Sequence, residues 1–389
     1  MSDLENFIYD IKTKIYFGKG SISHLSEAVR PYGKKALLVY GGGSIKRIGL
    51  YDEAVKQLEE AGVSIVELSG VQPNPKIESV REGVRLCREN DVDVVVAIGG
   101  GSTIDAAKVI AGSVSYEGDP WDIVLDAGKV VSVLPIISVL TLTATGSEMD
   151  VFAVISDMEK NEKWGTGHPD FRPKASILDP TYTFSVSAYQ TAAGTADMMS
   201  HIMENYFSNV EGYMQDRMAE ALLSTCVKYG IMAVKEPENY EARANLMWCG
   251  SWAINDLLNL GKPCAWSVHP MEHELSAFYD ITHGVGLAIL TPHWMERVLD
   301  DQSVDKFVEL ACNVWHVDAT GKGKFEVARE GIRRTADYFR SMGIPMTLHE
   351  VGIDETYFDI MAQKACEGMK GAYRELSADD VKAIFKAAL

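Results

Sequence analysis

Asp197 and His201 stand four residues apart, His269 and His273 repeat that spacing, and His283 follows ten residues on. On a helix, positions four apart share one face, one turn from each other. Three histidines thus fall within fifteen positions of a chain that has nine. Imidazoles with one carboxylate suit Fe2+ or Zn2+ with a position left open for substrate, whereas Ca2+ or Mg2+ would call for more oxygens. An isolated Asp-x-x-x-His is more often a solvated pair on a helix face. The run WSVHPMEH, residues 266–273, is different, because polar groups so dense amid apolar neighbours need a ligand or a network to satisfy them. His24, His168, His293, His316 and His349 have no nearby His or Cys and read as structural or surface residues.

A second set of residues lies in turns that follow apolar runs. Gly99-Gly100-Gly101-Ser102-Thr103-Ile104-Asp105 follows a strand pattern and opens a helix pattern. Glycines there let backbone N–H groups approach a pyrophosphate, and the start of the helix adds partial positive charge. The turn is neither G-x-G-x-x-G nor a P-loop, so phosphoryl transfer has little support. An earlier run, Gly41-Gly42-Gly43-Ser44-Ile45-Lys46, has glycines where dinucleotide folds often offer an acid to the ribose 2′-hydroxyl. Open amides, the Ser44 hydroxyl and Lys46 suit a 2′-phosphate, which favours NADP(H) over NAD(H). Thr141-Leu142-Thr143-Ala144-Thr145-Gly146 follows a further strand pattern with hydroxyls and a bend, and Pro73-Asn74-Pro75 is a rigid turn.

The elements that must position these residues fall into two textures. Apolar runs at 36–40, 63–68, 93–98, 133–140 and 175–178 read as buried strands. Between them, 51–61, 77–89 and 102–111 have helical spacing, the alternation of a mostly parallel α/β sheet. After residue 185 the chain is rich in methionine, with 13 of its 16 Met there, and 188–206, 214–229, 240–260 and 327–341 read as helices. Two domains follow, 1–185 and 186–389, within the usual range for 389 residues.

Composition sets the outer limits. A formal charge of −18 would repel phosphate backbones and anionic lipid heads, which argues against nucleic acid and membrane partners. The first fourteen residues carry acids where an export signal needs a basic start, and the longest apolar stretch, 130–142, is too short to span a bilayer. Six scattered cysteines without a CxxC pair fit free thiols in a reducing compartment, so a cytoplasmic location is expected.

With these motifs in order, YGGGSIKRIGLYD, PNP, GGGSTIDAAK, LTATGSEMD, AGTADMMSHIMENYF and HPMEHELSAFYDITHGVGLAI, the sequence resembles the iron-containing alcohol dehydrogenase family, and more closely its butanol dehydrogenase branch. The resemblance implies a Rossmann-like α/β dinucleotide-binding domain followed by an all-helical metal-binding domain, the dehydroquinate synthase-like or group III alcohol dehydrogenase architecture. It implies that Asp197, His201, His269 and His283 bind one divalent metal, Fe2+ or Zn2+, with His273 beside it. It implies cofactor contacts from Gly41, Gly42, Gly43, Ser44, Asn74, Gly100, Gly101, Ser102, Thr141, Leu142, Thr145 and Lys163, and Asp105 is added from its place in the glycine-turn motif. Asn255-Asp256 departs from the Asn-Gly expected there, and Lys262-Pro263-Cys264-Ala265 is individual to this chain.

The chemistry that follows is reversible hydride transfer between NAD(P)H and a short-chain aldehyde such as butanal, with the metal polarising the carbonyl oxygen and His273 relaying the proton. A small-molecule alcohol or aldehyde is the expected partner, and a homo-oligomer such as a dimer is compatible with it. Two rivals belong to other classes. A glycerol dehydrogenase or dehydroquinate synthase-like enzyme shares the glycine turn and the helical metal site, but a phosphorylated, carboxylated substrate needs basic residues and 269–283 has no Lys or Arg. A non-catalytic nucleotide or metal sensor would bind the same ligands and reduce no aldehyde.

Overall fold

The computed structural model describes residues 4–389, which form two compact units. The sheet unit comprises Asp10–Val186 and Pro237–Ser251. The helical unit comprises Ser187–Glu236 and Trp252–Leu389, together with the N-terminal stretch up to Tyr9.

In the sheet unit the strands are β1 (Lys14–Phe17), β2 (Lys35–Tyr40), β3 (Ser64–Leu68), β4 (Val94–Gly99), β5 (Ile136–Leu140), β6 (Phe152–Asp157), β7 (Glu162–Gly167) and β8 (Ala175–Leu178). Six of them form one parallel sheet in the order β1-β8-β5-β4-β2-β3, while β6 and β7 pair as an antiparallel hairpin. Valine and isoleucine fill β4 and β5, every residue of which is buried, because helices cover both faces of a parallel sheet. One face packs on Ile77–Asn90 and Gly101–Ser113, and the other on Leu25–Val29 and Leu50–Glu60.

The strand order has a mechanical consequence. From β2 the chain moves outward to β3 and then returns to β4 on the other side, so order reverses between β2 and β4. Ligands of open α/β sheets bind at such a reversal, outside the carboxyl ends of the strands. Tyr40 is in register with Ile98, and Gly99 with Leu140, so the turns after β2, β4 and β5 emerge side by side along one edge.

The helical unit contains no strand among its described residues. Its centre is the helix Ala188–Tyr206, started by Ser187, whose hydroxyl accepts from the Gln190 N–H at 3.2 Å. From Thr191 to Tyr206 every residue of this helix is buried, so the polar ones must find partners inside the protein. The helices Val268–Tyr279 and His283–Val298 pack near it. Gly284 permits the closest approach, since a Cβ there would stand 2.0 Å from the Ala193 carbonyl oxygen.

Several elements differ from the reading of the sequence, among them short helices such as Leu25–Val29 and Pro120–Leu125. The strand β1 and the β6–β7 hairpin are additional, and both are short or carry polar and glycine residues that mask alternation. The helix expected over 240–260 ends at Ala253, because Asp256 takes φ +74°, a left-handed backbone no helix can continue through. That conformation favours glycine, which is why Asn-Gly would be the ordinary pair there. The four strands around the reversal and the helix Ala188–Tyr206 lie where the sequence placed them. Among the described residues no helix is long and apolar enough to cross a membrane, and all six cysteines are free.

Candidate metal centre and cofactor edge

In the helical unit, three elements bring four side chains to one point. Asp197 and His201 lie one turn apart on Ala188–Tyr206, His269 opens Val268–Tyr279, and His283 opens His283–Val298. Asp197 Oδ1 is 3.5 Å from His201 Nε2, 3.6 Å from His283 Nε2 and 3.8 Å from His269 Nε2. These separations are too long for hydrogen bonds. The three distances from Asp197 are close to the edge, about 3.4 Å, of a tetrahedron of donors around an ion with bonds of about 2.1 Å; donor atoms of Asp197, His269 and His283 all lie within 4.8 Å of one another, and His201 joins them through Asp197.

Burial supports the same reading. Asp197 Oδ1 and His269 Nε2 are buried and make no hydrogen bond, an arrangement costly for a carboxylate unless a cation faces it. Burial alone would raise the Asp197 carboxyl, but His201, His269 and His283 together hold it far below the usual carboxylate range. Two imidazoles respond in opposite ways: burial lowers His201, whereas Glu204 and Asp197 outweigh burial and raise His269. A nitrogen–oxygen set with one carboxylate fits Fe2+ or Zn2+, so the residues present fit the expected metal.

Two carboxylates that the sequence reading passed over complete the centre. Glu204 follows Asp197 and His201 at i+7 on the same helix face and pairs with His269 Nδ1. It also accepts from the Ser267 and Val268 N–H groups at 2.7 and 2.9 Å and from Ser200 Oγ at 3.1 Å. Glu272 pairs with His283 Nδ1 and accepts from Ser276 Oγ. A carboxylate in the last turn of a helix is disfavoured by its own helix dipole. Glu204 is compensated by the N-terminus of Val268–Tyr279, which it caps.

His273 is half-buried. Its ring centroid is 5.7 Å from that of His283 and 6.2 Å from that of His269. His273 groups with Glu272 and His283.

In the sheet unit the expected cofactor residues gather along the carboxyl edge. Gly41–Gly43 follow β2, with φ +90° at Gly43, where a short helix Ser44–Arg47 begins. Gly100 precedes the helix Gly101–Ser113, and no side chain caps it, which leaves its first amides for a phosphate. The Thr141 N–H donates to the Gly99 carbonyl at 2.9 Å, extending the edge to β5. A Cβ on Gly101 would stand 2.1 Å from Thr145 Oγ1, and one on Gly100 would stand 3.2 Å from Leu142 Cβ. The glycines therefore let the Thr141–Thr145 loop lie directly on the helix start.

Asn74 and Lys163 come in from the hairpin side. Asn74 has φ +48°, the Pro75 carbonyl accepts from the Ser156 N–H at 2.9 Å, and Lys163 stands opposite Ser156 in the β6–β7 register. Asp105 differs from the expected cofactor contact. Its carboxylate is buried, accepting from Ser147 Oγ at 2.6 Å and the Val154 N–H at 2.9 Å, so it braces the loop and the hairpin against the helix.

Beside Ser44 lies a group with its own electrostatics. The Tyr40 and Tyr51 hydroxyls donate to the two oxygens of Glu67 at 2.6 and 2.5 Å. Lys46 Nζ sits over both rings, 5.1 and 4.4 Å from their centroids. The hydrogen bond to Glu67 pushes the Tyr51 hydroxyl up to about 12.

Comparison with known proteins agrees with this geometry. The family model for iron-containing alcohol dehydrogenase matches residues 12–180, and the C-terminal model of the Fe-containing alcohol dehydrogenase family matches 191–389. The chain is 58% identical to NADH-dependent butanol dehydrogenase A of Clostridium acetobutylicum, over 98% of this chain and 99% of the relative. It is 36% identical to the NADPH-dependent aldehyde reductase YqhD of Escherichia coli, over 99% and 100%. The crystal structure of an NADH-dependent butanol dehydrogenase A from Thermotoga maritima superposes with a TM-score of 0.94 at 36% identity, covering all of both chains. Motifs, fold and family models agree from one end of the chain to the other: it belongs to the iron-containing alcohol dehydrogenase family and is an oxidoreductase.

Proposed function

We propose that this chain reduces short-chain aldehydes such as butanal to their alcohols, with NADPH preferred over NADH as hydride donor. The observation that carries the reading is the convergence of three imidazole Nε2 atoms within 4 Å of Asp197 Oδ1. When bound, a divalent metal, Fe2+ or Zn2+, supplies a Lewis acid for the carbonyl oxygen, and the nicotinamide supplies the hydride. Asp197, His201, His269 and His283 hold that ion, and the buried carboxylate offsets part of its charge. Reduction of the aldehyde takes up one hydride and one proton. Half-burial of His273 and its ring centroid 5.7 Å from that of His283 support its role as the proton relay.

The cofactor preference rests on the turn after β2. It has no acid to repel a 2′-phosphate, and Glu67, a carboxylate beside Lys46, is held by two tyrosine hydroxyls. Lys46 is the cation beside it. In favour of the other cofactor, the butanol dehydrogenases of Clostridium acetobutylicum and Bacillus subtilis that this chain resembles are named NADH-dependent.

Steady-state rates with NADPH and with NADH across butanal, shorter aldehydes and lactaldehyde test both parts. We expect metal-loaded protein to oxidise NADPH only when aldehyde is present, with the higher kcat/KM for NADPH. Lys46→Met should lower kcat/KM for NADPH about tenfold, the loss of one charged contact, and leave NADH within about twofold. No oxidation of either nucleotide with any short aldehyde would end the dehydrogenase reading. A preference for NADH would end the 2′-phosphate reading alone.

A further inference from the structure

Two of the three helices that carry the donor set each hold an imidazole of the next. Glu204, on Ala188–Tyr206, grips His269 at the start of Val268–Tyr279. Glu272, on that second helix, grips His283 at the start of His283–Val298. Gly284 of the third lies against Ala193 of the first and closes the ring. Both carboxylates are almost wholly buried, Glu204 at 3% and Glu272 at 0% exposure.

Both carboxylates meet Nδ1, the nitrogen that does not face Asp197. An Nδ1–H donated to a carboxylate leaves the lone pair on Nε2, the atom a metal needs. Glu204 does this while accepting two main-chain N–H groups at 2.7 and 2.9 Å, so its oxygens have no freedom to turn. His201 is different: its Nδ1 is buried and makes no hydrogen bond, and its ring is held by stacking on His269 with centroids 4.8 Å apart.

We propose that Glu204 and Glu272 are positioning residues that fix the tautomer and orientation of His269 and His283, assembling the metal site before the metal arrives and leaving His201 as the adjustable ligand. The inference rests on the metal reading above. A glutamine at 204 illustrates the mechanism. To keep the Ser267 and Val268 N–H groups satisfied it must present its carbonyl oxygen to them and its amide nitrogen to His269. His269 Nδ1 would then have to accept, and its proton would move to Nε2, where the metal should bind. At 272 the demand is milder, because the Ser276 hydroxyl can reverse its direction and accept from an amide.

The test uses full-length protein stripped with a chelator and titrated with Co2+. Its readouts are the Co2+ dissociation constant, the visible absorption of bound Co2+ and the fluorescence of bound NADPH as a check on the sheet unit. Glu204→Gln should weaken Co2+ binding toward a hundredfold and Glu272→Gln about tenfold, the range found for partners of metal-ligating histidines. Both should alter the Co2+ spectrum and leave NADPH binding within about twofold. Ser276→Ala, which keeps the Glu272–His283 pair, should bind Co2+ as the unaltered protein does. Should Glu204→Gln fail to fold, Glu272→Gln carries the test. Retention of unaltered Co2+ affinity by the glutamine variants would overturn the proposal. Failure of the unaltered protein itself to take up Co2+ would overturn the metal reading with it.

Discussion

His273 and the four proposed ligands differ in burial, and that difference separates their roles. Asp197, His201 and His269 are buried, His283 is one-fifth exposed at its side chain, and His273 is half-buried. Replacing His273 by Ala should therefore lower turnover about a hundredfold, the scale of general acid–base help. Metal content should stay at one ion per chain, as elemental analysis would show; loss of the ion would make His273 a ligand. Asp197→Asn should do the reverse and abolish metal retention, because it removes the carboxylate charge that faces the three Nε2 atoms. The i, i+4 spacing made Asp197 and His201 legible in the sequence. Glu204 and Glu272 were not, since each is one of 55 acidic residues and acquires its partner only when the helices come together. The one available signal was Glu204 at i+7, which extends the face of Asp197 and His201.

Among the elements, the helix His283–Val298 depends on the absence of side chains at two positions. A methyl on Gly284 would meet the Ala193 main chain at 2.0 Å, and one on Gly286 would stand 2.8 Å from Glu272 Cγ. Gly284→Ala must push the first helix turn, and His283 with it, away from Asp197. We expect a loss of about 1–3 kcal/mol in stability, seen as a lower unfolding midpoint, and weaker metal binding. Gly286→Ala can be accommodated by rotation of the Glu272 side chain, so it should reduce metal affinity with less effect on stability. The β2, β4 and β5 strands were readable as unbroken apolar runs because both faces are covered. The hairpin β6–β7 was not: KWGTG within β7 alternates poorly, and only Ala153 and Ile155 of β6, with Trp164 of β7, pack into the core.

For the whole molecule, the division into units separates the two ligand sites. The glycine turns belong to the sheet unit with its own buried clusters, and the donor set belongs to the helical unit. Stripping the metal with a chelator should abolish aldehyde reduction while NADPH still binds, as its fluorescence would report. The charge of −18 does not oppose this, because phosphates bound as proposed would meet local amides at a helix start rather than the average surface. The sheet unit is nevertheless not the first 186 residues alone. Ser251 donates its hydroxyl to the buried Glu148 at 2.6 Å, and Met247 packs in the core under the sheet. A fragment of residues 10–186 leaves that carboxyl and that apolar surface bare, and it should be insoluble or bind NADPH far more weakly than the full chain. The same arrangement governs how the protein is made. Among the described residues the strand β1, made before the other strands of its sheet, has β8 as its only neighbour, about 160 positions later. At about 5–20 residues per second on the ribosome, it waits roughly 8–30 s for its partner to exist. During that interval the N-terminal strand must stay clear of incorrect pairing, and its brevity, four residues with Lys14 at its start, keeps the waiting edge a poor template for aggregation.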